Sequence, residues 1–88
     1  MIYEEFAILD TAVGAFNTPI FVRSRGQAIR SFQDACNDQK SDFNKFASDY
    51  VLYSLGIFDD STGRHTQARE PERIVSALEV LTKDITNN

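Results

Sequence analysis

Ser24 and Gln27 mark the point at which this chain changes from extended to helical, and that junction limits what it can become. Ahead of it Pro19, Ile20, Phe21 and Val22 form a short apolar run. Behind it Ala28, Ile29, Phe32, Ala35 and Cys36 recur at helical spacing and define a stripe to be buried. Ser24 is the expected N-cap. Gln27 is expected to return a bond to the Ser24 backbone N–H, which completes a capping box. Arg23, Arg25 and Arg30 crowd the same place, where a helix start already carries partial positive charge. An anion suits such a position; so does a solvated or ion-paired surface.

Residues 2–9 alternate as a strand, with Ile2, Phe6 and Ile8 on one side and Tyr3, Glu5, Ala7 and Leu9 on the other. Residues 10–18 carry Gly14, Asn17 and Thr18, a turn-rich connection or bulged hairpin. Residues 20–23 form a second strand, with Pro19 tolerated at its start. The first helix runs from 25 to 35 or 36, ended by Asn37 and Asp38. In the polar stretch 37–48, one helical turn would place Phe43 and Phe46 on one side, to pin the loop or to line an interface.

Residues 49–58 are the clearest strand. Tyr50, Leu52 and Phe58 are expected on one face, and Val51, Tyr53, Leu55 and Ile57 on the other. Apolar residues on both faces imply a central strand or a subunit contact; Phe43, Phe46 and Tyr53 are the candidate protein-interface residues. Gly56 interrupts the first row and is expected to mark a bulge. The turn from Asp59 to Gly63 leads to a polar edge strand at 64–69. Glu70 and Pro71 are expected to start a second helix, with Ile74, Val75, Leu78, Leu81 and Ile85 as its buried stripe and Lys83 near its end. The expected fold is therefore α+β: one domain over 1–85 in ββαββα order, a mostly antiparallel four-stranded sheet with two helices on one face, and a frayed end at 86–88.

With 88 residues the chain has a narrow stability margin, for which oligomerisation is one remedy. A net charge of −4 excludes a basic field over the whole surface. Any nucleic-acid contact must be a local patch, and Arg23, Arg25, Arg30 and Arg64 are its candidates, with Arg69 from the same last hairpin as Arg64. Aromatic side chains on an open sheet face could stack bases. A single cysteine, Cys36, on an apolar helix face reads as a buried small hydrophobe. No apolar run reaches the ~20 residues of a membrane span, so a soluble intracellular protein is expected. The lone His65 lacks partners for a metal site. Asp59 and Asp60 do not extend into a calcium-loop pattern, which leaves a metal-dependent nuclease as a minor alternative. No enzyme signature and no cofactor motif is present.

Met1-Ile2-Tyr3 with Phe6 and Asp10, then Pro19-Ile20-Phe21-Val22, Gly26, Ala28-Ile29-Arg30, Phe32 and Asn37-Asp38 make up a familiar pattern. It continues through Ser41, Phe43, Lys45, Asp49-Tyr50, Leu52 and Gly56-Ile57-Phe58-Asp59-Asp60. Over residues 1–60 the chain resembles the small nonstructural protein of gokushoviruses, single-stranded DNA phages of the Microviridae. The resemblance implies a nonenzymatic, DNA-associated protein of the host bacterial cytoplasm. It would serve viral single-strand DNA synthesis and packaging, with the replication initiator or a procapsid protein as partner and single-stranded DNA held locally. The family has no established catalytic residues to carry over. A protein-interaction module, a homodimer without nucleic-acid binding, is the alternative.

Overall fold

In chain order the elements are β1 (Ile2–Asp10), β2 (Ala15–Phe16), β3 (Ile20–Val22), α1 (Arg25–Asn37), α2 (Asp42–Lys45), a 3-10 turn (Ala47–Asp49), β4 (Tyr50–Asp59), β5 (Arg64–Ser76) and α3 (Ala77–Ile85). They come from a computed structural model that describes residues 1–85. The frayed end expected at 86–88 lies outside the described residues, as do the side chains of Lys83 and Ile85.

A long antiparallel ladder organises the rest. β1 pairs with β4 along its whole length, and β5 continues the sheet beyond β4. The other edge of β1 is shared: β3 pairs with Glu4, Glu5 and Phe6, and β2 with Leu9 and Asp10. All five strands are antiparallel. The α+β architecture matches the sequence expectation, with a short fifth strand and a one-turn helix added to it.

Phe6 and Leu52 from the sheet meet Ala28, Phe32 and Cys36 of α1, Ala47 of the 3-10 turn, and Ala77 and Val80 of α3. Small side chains on the helices let them approach the sheet closely, while the two large sheet residues fill the space between. Phe43, on α2, packs its ring against Phe32 and Tyr50 at centroid distances of 6.3 and 4.8 Å. Phe46 does not join it; it caps the end of that single turn and is 54% exposed.

α1 begins as its sequence predicts. The Ser24 hydroxyl oxygen accepts from the Gln27 N–H at 3.2 Å. The reciprocal bond shifts by one residue, because Gln27 Oε1 accepts from the Arg23 N–H at 3.1 Å and not from that of Ser24. Ser24 is extended, with φ −152° and ψ 157°. Successive N–H groups of an extended chain point to opposite sides, and the one facing Gln27 is that of Arg23. Burial pushes the Cys36 thiol up to about 11. At pH 8 a thiol reagent should leave native Cys36 unmodified and label it once denaturant is added; labelling of the native protein at the rate of a free thiol would contradict this.

The second long helix starts later than Glu70 and Pro71 suggest. Both residues lie in β5, and α3 starts after Ser76. There the Ser76 Oγ accepts from the Glu79 N–H at 3.2 Å, and Glu79 Oε1 accepts from the Ser76 N–H at 2.7 Å. This reciprocal capping box outcompetes the proline signal. Pro71 instead sits in a stretch where β5 leaves the ladder, so its missing N–H costs nothing there. Ile74 and Val75 therefore reach the core from a strand. Leu78, expected in the buried stripe, is exposed, and Ala77 and Val80 are buried in its place.

Bonds from the Ser76 N–H, then from Arg73 and the Ser76 hydroxyl, hold the Glu79 carboxyl below its usual range. The Ser61 hydroxyl and N–H do the same for Asp59 at the β4–β5 turn. Both groups are depressed in the folded state. Their stabilisation is present above the ordinary carboxylate range, about pH 4, and is lost as pH falls below it through the lower folded-state values. The urea midpoint should drop on acidification, and Glu79→Gln should flatten part of that drop. An unchanged profile in the variant would contradict the assignment.

One irregularity sets which side chains face which way. Glu5 pairs with Gly56 and Phe6 with Ser54, so Leu55 has no partner on β1. On the other side Gln67 pairs with Gly56 and Glu72 with Ser54, so residues 68–71 stand against Leu55 alone. The slip reverses the alternation of β4. Tyr50 and Leu52 pack toward the helices, whereas Phe58, expected in the same row, is turned to the opposite face.

Candidate nucleic-acid interface

The helices cover one face of the sheet, and the residues that alternate away from them make the other. β1 contributes Tyr3, Glu5, Ala7 and Leu9. Their cross-strand partners include Phe58 for Tyr3, Phe21 for Glu5, Tyr53 for Ala7 and Phe16 for Leu9. His65 of β5 pairs with Phe58. Directly paired residues share a face, so the bare face is largely aromatic.

Its rings form two groups. Phe16 meets Tyr53 edge-on, with centroids 5.4 Å apart and planes at 84°. Phe21, Phe58 and His65 form a triangle with centroid distances of 5.6, 4.7 and 5.9 Å. Phe16 is 42% and Phe21 45% exposed, a large share for phenylalanine in a small domain. Glu5 faces the same way. Its Oε1 lies 3.7 Å from His65 Nδ1, and its side chain is only 13% exposed.

The arginines are distributed differently. Arg25 and Arg30 lie on α1, whereas Arg23 stands between β3 and the Ser24 cap, two places beyond Phe21. Arg30 lines a shallow hollow of about 340 Å³ with Ser24, Gly26 and Gln27. Arg25 is committed to Glu72 of β5, Nη2 to Oε1 at 3.1 Å. Arg64 does not join them; it pairs with Asp59 beside the far hairpin turn. Arg69 lines a second hollow on the aromatic face, with Glu5, Phe16 and Leu55 among its neighbours. Of the candidate interface residues, Phe43 is packed on the core, Phe46 is exposed, and Tyr53 is half-buried beside Phe16.

Sequence reasoning missed Phe16, Phe21 and Phe58 as one surface. For Phe21 the signal was present, since Val22 next to it takes the inward position. For Phe58 the Leu55 slip hid it, with Gly56 as the visible marker. Among the described residues no three His, Cys, Asp or Glu side chains come together to hold a metal ion, and no helix is long and apolar enough to cross a membrane.

The family described as Phage ORF5 protein matches residues 3–80. Comparison with curated proteins and with solved structures gives no match.

Proposed function

The chain belongs to the Phage ORF5 protein family, and from that premise we propose a phage accessory protein that binds single-stranded DNA on the bare aromatic face of its sheet. It acts by binding and not by catalysis. Its place is the host bacterial cytoplasm during viral single-strand DNA synthesis and packaging, as in the Microviridae. It docks on a replication or assembly partner, for which exposed Phe46 offers a foothold.

The observation that carries this reading is the triangle of Phe21, Phe58 and His65 on an uncovered face. Bases stack on such rings whatever their sequence. Arg23 follows Phe21 by two places at the rim of the face and can meet a phosphate there. A net charge of −4 opposes the strand at longer range, so binding should be modest and confined to low salt.

Fluorescence anisotropy of a labelled oligothymidylate tests it. Affinity should fall as salt rises, with a log–log slope of about −0.7 for each phosphate contacted. Phe21→Ala and Phe58→Ala should each weaken binding by about 5- to 100-fold, the range of one stacked base. A folded wild-type protein that binds no strand at low salt would remove the reading.

A further inference from the structure

The slip at Leu55 leaves a hollow of about 330 Å³ on the aromatic face. We infer that it is a pocket for one guanine base of single-stranded DNA, an inference that rests on the single-strand reading above and names the base it prefers.

Glu5 and Gln67, both lining the hollow, belong to one cross-strand row. Glu5 pairs with Gly56, and Gly56 with Gln67. The middle residue has no side chain, and the β5 backbone at Thr66 and Gln67 lies directly against it. Leu55 and Phe16 supply apolar walls, and residues 68–71, looped out from the ladder, close the remaining side. Arg69 and Glu70 stand on that loop. The volume is at the small end of the roughly 300–1,000 Å³ typical of ligand pockets, which suits one base.

Glu5 decides which base. Its side chain is only 13% exposed, with the carboxylate open to the hollow. Among the described residues it accepts no hydrogen bond; His65 Nδ1, at 3.7 Å, is beyond bonding distance, and Arg69 lines the same hollow. A carboxylate that accepts no bond from the protein has two oxygens able to accept in parallel. Guanine presents two parallel donors on its Watson–Crick edge, N1–H and the 2-amino group. Adenine and cytosine set an acceptor beside their one amino donor, and thymine flanks its single N–H with carbonyls. Only guanine satisfies both oxygens at once. The Gln67 amide can donate to the guanine carbonyl, and Arg69 can pair with the adjoining phosphate.

The test uses four labelled strands: a thymidine tract, and the same tract with a single central dG, dA or dC. In anisotropy titrations the dG strand should bind about tenfold tighter than the others. In Glu5→Gln that ratio should fall to near one. If Glu5→Gln fails to fold by circular dichroism, Gln67→Ala on the edge strand carries the same test and should lose several-fold of the preference. Equal binding of all four strands, or a preference retained in folded Glu5→Gln, overturns the guanine pocket and leaves the aromatic-face reading intact. If no strand binds but free dGMP gives saturable shifts of the Glu5 and Gln67 amide resonances, the pocket stands and the single-strand reading falls.

Discussion

Gly56→Ala should leave little folded protein. Gly56 has φ +148°, a region that residues with a side chain avoid. A Cβ built there would lie 2.3 Å from the Thr66 carbonyl oxygen and 2.8 Å from the Gln67 Cα. Both obstacles are backbone atoms of β5, so no side chain can swing aside. Relief requires β5 to move off β4, which breaks the ladder on the side that carries residues 68–71. Strain of about 1–3 kcal/mol from the dihedral alone adds to the cost of separating two strands. In a domain whose whole margin is about 5–15 kcal/mol, most of the cooperative unfolding transition in urea should disappear. Gly63→Ala is the control. Gly63 also has positive φ, +74°, but an added Cβ there has no neighbour within 4 Å. It should cost only about 1–2 kcal/mol. Equal midpoints for the two variants would contradict the steric account.

Phe6→Ala should be as damaging for a different reason. Phe6 has no exposed surface and sits where β1 meets α1 and α3. It is the largest of the fully buried side chains. Its helix neighbours Ala28 and Ala77 are small, so they cannot swell into the space it leaves. Truncation of a buried phenylalanine costs about 3–5 kcal/mol, and a rigid surround puts this site toward the upper end. Phe46→Ala removes an equal ring from an exposed position and should shift the urea midpoint little. A Phe6→Ala variant with a near-native midpoint would mean that the core rearranges more freely than its packing implies.

Much of this architecture was legible in the chain because its signals were local. The Ser24–Gln27 cap, the stripe from Ala28 to Cys36 and the Asp59 turn each depend on residues a few places apart. The long strand through Leu52 read as central because it is apolar on both faces. The start of the second long helix was misread because two local signals competed. Proline in a first turn is common, but Ser76 and Glu79 satisfy two backbone donors together. The aromatic face was the least legible part. Gly56 announced an irregularity, but only the pairing with β1 and β5 shows that Leu55 is the residue without a counterpart. Whether Phe58 points in or out turns on that one position. The arginines read as a single patch in sequence; Glu72, distant along the chain, claims Arg25, and the hairpin carries Arg64 elsewhere.

The interrupted ladder also divides the sheet into two lengths of unequal durability. Toward Tyr50 the β1–β4 pairs lie under the helices, and the buried residues of β4 are Leu52 and Ser54. Toward Asp59 the pairs continue past the last buried residue of β4, and Ile2 and Ile57 are exposed. That outer length is secured by rings on one side and by its turn, so opening it exposes little apolar surface. Its amides should exchange with solvent through local fraying, at a free energy below that of global unfolding. The inner length should exchange only when the whole domain opens. A ligand seated on Phe21 and Phe58 would then do more than occupy a surface: it would slow exchange in the length of sheet that the core does not reach.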